Sequence, residues 1–125
     1  MLAHRLALAA SLTVPTVAIS AQPVTMRVVA NSSSGSVWRL SSTPIERAGA
    51  TATAWFFVDH RRDPSAGAAN SRIRYRFDCS TRRATRLERV VLGRDGRVLV
   101  REGAGAEAAA AHGSFAGKLL EAACG

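Results

Sequence analysis

The sequence predicts an α+β fold: a single antiparallel β-sheet of about six strands, with one C-terminal α-helix packed on a face and joined to it by a disulfide. Three observations carry this. Apolar and polar residues alternate with a period of two through the middle of the chain, most cleanly from Ser71 to Cys79. From Ser114 onward the apolar residues recur every three or four positions instead. The 125-residue chain holds two cysteines, Cys79 at the end of the alternating segment and Cys124 one residue from the C-terminus. Where oxidants are available two leftover thiols normally pair. Closing this loop stabilises the fold by about 4 kcal/mol in the chain-entropy model, a large share of the roughly 5–15 kcal/mol typical of a domain.

Thr25 to Asn31 reads as a strand with Met26, Val28 and Ala30 on one side. Ser32 to Ser36 is turn material, and Val37-Trp38-Arg39-Leu40 resumes as the second arm of a hairpin. Ala50 to Val58 is the strongest apolar strand, with Ala52, Ala54, Phe56 and Val58 on one face. Trp55 and Phe57 fall on its other face, so it reads as a central strand partly covered on both sides. His60 to Asn70 is a loop. In the next strand Ile73, Tyr75, Phe77 and Cys79 point one way and Arg72, Arg74, Arg76 and Asp78 the other, the pattern of one buried and one wet face. Thr85–Leu92 and Arg97–Arg101 form a hairpin around the Asp95-Gly96 step. Gly103 to Gly113 reads mainly as loop. Phe115, Leu119, Leu120 and Ala123 then mark a short amphipathic helix, with Ser114 placed to cap it.

Residues 1–20 read as a secretory signal: a positive start at Arg5, an apolar run from Leu6 to Ile19, and small residues before Ala21. The run is short for a membrane span and Pro15 interrupts it. Residues 21–125 then form one exported domain, periplasmic or secreted to the cell surface. No cysteine lies near the cleavage site, so a lipoprotein is not expected.

The formal net charge is +8, from 17 basic and 9 acidic residues, and Lys118 is the single lysine. Such a chain adsorbs weakly to polyanions, less so at high salt. Arg72, Arg74 and Arg76 project from one strand face about 6–7 Å apart. With Arg82, Arg83, Arg86 and Arg89 on neighbouring elements they form a candidate anion- or partner-binding surface. The alternative is a solvated face whose arginine stems cover apolar surface. Trp55 and Phe57 are likewise either contact anchors or core residues packed beneath the helix.

The order of these features resembles the surface-adhesin protein E family of small exported bacterial proteins. The resemblance covers about residues 25–124. It rests on the apolar strand Ala54-Trp55-Phe56-Phe57-Val58-Asp59 and on Phe77-Asp78-Cys79-Ser80-Thr81-Arg82-Arg83. A hairpin with a turn glycine, the helix behind Ser114 and the terminal Ala123-Cys124 complete it. It implies the same cysteine pairing, a C-terminal helix on an antiparallel sheet, and binding to host matrix or serum proteins.

Catalytic chemistry finds little footing. Asp59-His60 beside Asp63 suggests acid–base groups and His112 near Ser114 a base and nucleophile, but neither pair follows a known catalytic frame. No metal-ligand spacing or phosphate-binding glycine loop is present, and no cofactor is expected. The sequence thus points to a non-catalytic exported binding module for a protein or acidic glycan. The alternative is a periplasmic accessory or inhibitor protein of an envelope enzyme.

Overall fold

The computed structural model describes residues 9–14 and 24–125. Most of the expected export signal, its cleavage site and the division at residue 20 lie outside the described residues. No described helix is long and apolar enough to cross a membrane.

Among the described residues, eight strands and one helix follow one another: β1 (Met26–Asn31), β2 (Val37–Ser41), β3 (Glu46–Ala48), β4 (Thr51–Asp59), β5 (Asn70–Asp78), β6 (Arg83–Leu92), β7 (Val98–Glu102), β8 (Ala108–Ala109) and α1 (Phe115–Cys124). Six of the strands form an antiparallel sheet in the order β1-β2-β4-β5-β6-β7. The short β3 and β8 extend it. β3 pairs with the start of β4 beside β2, and β8 pairs with the start of β6 beside β7. The expected α+β architecture is the one observed.

The alternation of β4 and β5 divides the sheet into two faces. Ala54, Phe56 and Phe77 lie on the face that α1 covers, where they meet Leu119, Leu120 and Ala123. Phe56 and Phe77 meet edge-to-face with centroids 6.1 Å apart, and Trp38 packs on Phe115 in the same manner at 5.0 Å. Cys79, directly after β5, bonds to Cys124 in the last turn of α1, with α-carbons 5.9 Å apart and a sequence separation of 45. The crosslink therefore pins the helix C-terminus to the end of a central strand.

Ser114 begins the helix as anticipated: its Oγ accepts a hydrogen bond from the Gly117 N–H at 3.0 Å. The same hydroxyl donates to the Ala111 carbonyl at 2.6 Å. Gly117 packs so tightly beneath that carbonyl that a Cβ there would collide with it.

One face assignment is corrected. Met26 and Val28 do not share a side with Ala30, because β1 carries a bulge between Val28 and Ala30. The bulge reverses the alternation. Ala30 then enters the core, while Met26 and Val28 stay 44 % and 49 % exposed on the opposite side.

Candidate functional site

The sheet face turned away from α1 carries the arginine stripe. Cross-strand register sets Arg72 opposite Phe57, Arg74 opposite Trp55 and Arg76 opposite Thr53. On the far side of β5, Arg72 faces Val90 and Arg74 faces Glu88. Arg39 of β2 lies opposite Phe57, and Arg101 of β7 opposite Val90, so both join the same face. Opposed residues of an antiparallel pair project together, and register thereby gathers charges from β2, β5, β6 and β7 on one surface.

Acidic groups neutralise part of that surface. Arg74 pairs with Glu46 at 3.4 Å, Arg101 with Glu88 at 3.7 Å, and Arg39 with Asp59 at 3.8 Å. Arg61 clamps the same Asp59, at 2.7 Å from one oxygen. Its hydrogen bonds, above all, pull the Asp59 carboxyl down to about 2. Among the described residues no carboxylate pairs with Arg72 or Arg76. The Arg72 guanidinium lies over the Phe57 ring, 5.7 Å from its centroid.

Of the seven sequence-nominated arginines, Arg86 and Arg89 do not join this surface, because register sets them opposite Tyr75 and Ile73 on the other face; the remaining five fall into two groups. Arg72, Arg74 and Arg76 form the stripe. Arg82 instead acts as a clamp on the helix side: its Nε donates to the Ala110 carbonyl at 3.1 Å and its Nη2 to Glu121 at 3.0 Å. Arg83 pairs with Glu107 at 3.0 Å. Trp55 and Phe57 are half-buried on the arginine face. Packing beneath the helix is therefore not their position, because α1 covers the face that carries Ala54 and Phe56.

A second polar cluster joins the turn after β1 to the loop after β4. The Asp63 carboxylate accepts hydroxyl bonds from Ser36 (2.6 Å), Ser34 (2.7 Å) and Ser65 (2.5 Å), and these hold it well below the usual carboxylate range. The Ser36 hydroxyl has one proton, and an ionised carboxylate can only accept. Ser36 therefore accepts from His60 Nδ1, 2.7 Å away, and His60 Nε2 is left to accept from the Ser71 hydroxyl at 2.6 Å. Burial pushes the His60 pKa down and keeps the ring neutral.

Ser71, His60, Ser36 and Asp63 are wired in the direction of a nucleophile–base relay, but with a serine inserted before the carboxylate. Ser71 is only 2 % exposed, in a strand paired on both sides. The cluster fastens the loop over the end of the sheet. Sequence reasoning placed His60 beside Asp59 and Asp63 but missed Ser36 and Ser71, since these partners stand 24 and 11 residues away. It also missed Arg39 and Arg101, which reach the arginine face only through strand register. Cross-strand pairing of β2 with β4 and β6 with β7 was the signal that placed them. His112 lies 3.5 Å from Glu121, away from Ser71 and His60. No group of three or more potential metal ligands occurs among the described residues.

Comparison with curated proteins and with solved structures finds no match. Comparison with protein families does: residues 24–125 match the family described as surface-adhesin protein E, a span running from just before β1 to the chain end and including both cysteines. The chain belongs to the surface-adhesin protein E family.

Proposed function

We propose that this protein is an exported, non-catalytic binding module that engages an acidic glycan or the acidic patch of a protein, at the cell envelope or host surface, through its arginine face. Export is supported by the disulfide, which persists in oxidising compartments. Membership of an adhesin family supports the binding role. The burial of Ser71 behind His60 supports the absence of catalysis.

One observation carries the choice of surface. Arg72 and Arg76 sit four residues apart on one sheet face with no carboxylate partner among the described residues, flanked by the half-buried Trp55 and Phe57. Guanidinium groups grip carboxylate and sulfate-like oxygens through paired donors. Neighbouring aromatic surface adds the contact area that anchors an interface. Immobilised heparin, as a model acidic glycan, tests this. The R72Q/R74Q/R76Q variant elutes at clearly lower salt than the parent, and unchanged elution would refute the assignment.

A further inference from the structure

On the helix-covered face, α1 packs against β1, β4 and β5, and beyond it the face is open around Tyr75, Arg86 and Arg89. A cup of about 370 Å³ opens there. Ile73 and Tyr75 of β5 form its floor, Trp38 closes one end, and Arg86 and Arg89 of β6 form a wall. That volume lies in the range of small-ligand sites, which are mostly apolar with a few converging polar groups.

We propose that this cup binds a small monoanionic carboxylate carried on an apolar body, with Arg86 and Arg89 holding the carboxylate and Trp38, Tyr75 and Ile73 enclosing the rest. The charge count favours a monoanion. Arg86 Nη2 lies 3.1 Å and Arg89 Nη1 3.6 Å from the same Glu102 oxygen, so two cations share one carboxylate and one positive charge remains unmatched. Arg86 Nε is buried without a hydrogen-bond partner. A buried donor is costly to leave unmade, and the Arg86 side chain, still 30 % exposed, can take up a ligand carboxylate through its remaining N–H groups.

The other polar groups of the cup contribute no competing charge. Burial raises the Tyr75 hydroxyl pKa, so it stays protonated, and His60 is neutral with its Nε2 already bonded to Ser71. A free phosphate fits less well, because the apolar floor would strip its hydration and return few donors. The cup is also bounded by the loop after β4, at Ala66 and Ala68, which suits a compact molecule better than an extended chain.

The test is a two-dimensional NMR titration of the folded protein with 3-phenylpropionate, following the Trp38 indole and the Arg86 and Arg89 Nε–H signals. The expected result is saturable shifts at those groups, with 3-phenylpropanol at least about tenfold weaker because it lacks the charge-assisted bonds. R86Q/R89Q should weaken binding by about tenfold or more. A68W fills the cup without changing its charge and should abolish binding, which keeps the test decisive if the arginine variant fails to fold. Equal binding of the alcohol, or no saturable shift, overturns the proposal. So does a response centred on Arg72 and Arg76. The dipeptide Gly-Phe binding more tightly than 3-phenylpropionate would assign the cup to a peptide C-terminus and overturn it as well.

Discussion

Arg47 of β3 reaches across to the end of the helix, where its Nη2 donates to the Ala123 carbonyl at 3.1 Å and its Nη1 to the Cys124 carbonyl at 3.2 Å. A cation at these orphaned carbonyls satisfies them and complements the negative end of the helix dipole. The contact lies beside the Cys79–Cys124 bond, so the helix terminus is held by a covalent and an electrostatic tie at once. Because Arg47 is exposed, R47A should cost only about 0.3–1 kcal/mol in urea unfolding. A loss above about 2 kcal/mol would mean that β3 itself had detached.

The disulfide should matter far more. Replacing both cysteines with serine removes a crosslink closing a 45-residue separation and should cost about 2–5 kcal/mol. Unfolding of the oxidised and reduced protein, compared at equal denaturant slope, measures this. The reduced form should also lose protection from hydrogen exchange in α1 before it loses protection in β4 and β5, since the sheet keeps its own ladder.

Gly117 offers a test of packing against propensity. In an unconstrained helix, alanine is better than glycine by about 1 kcal/mol. Here a Cβ would strike the Ala111 carbonyl, which is already tied to the Ser114 cap. G117A should therefore destabilise the protein by about 1–3 kcal/mol. Thermal unfolding decides the sign, and a raised melting temperature would show that the turn before α1 can move aside.

The His60 cluster sets a pH dependence. The unfolded chain takes up a proton at His60 near its ordinary value of 6.5, whereas burial lowers the folded-state value. The folded state binds fewer protons in that window, so stability is full above about pH 6.5 and falls as pH drops below it, until the folded group itself titrates. Asp63 opposes this by attracting the proton, and Arg89 reinforces it. H60Q should flatten the profile below about pH 6.5. A second decline, from Asp59, Asp63 and Asp78, whose carboxyls hydrogen bonds all hold down, begins below pH 3.8 in both proteins, with Asp59 titrating at about 2. Denaturant midpoints across pH check both windows.

Local signals made much of the fold legible. The alternation Ile73, Tyr75, Phe77 against Arg72, Arg74, Arg76 fixed β5 and its faces because period two has one solution when one face is buried. Ser114 marked the helix start because a capping hydroxyl acts over three residues. The bulge before Ala30 was hidden, since a bulge is a property of two strands and not of one. β3 and β8, three and two residues long, are too short to show a period. The arginine stripe was visible, but Glu46 and Glu88, which neutralise part of it, come from other strands. The cup depends on β2, β5 and β6 meeting around Trp38, Tyr75 and Arg86, a juxtaposition no local pattern announces.

The assignment of the binding face rests on which arginines lack acidic partners. Heparin elution of R72Q/R76Q compared with R82Q/R83Q tests it most directly, because both variants lose the same formal charge. The first should weaken binding by about tenfold, equivalent to about 1.4 kcal/mol, and elute at distinctly lower salt. The second removes arginines already tied to Glu121 and Glu107 and should elute close to the parent. Equal shifts for the two variants would show that only net charge matters, and a larger shift for R82Q/R83Q would place the site elsewhere.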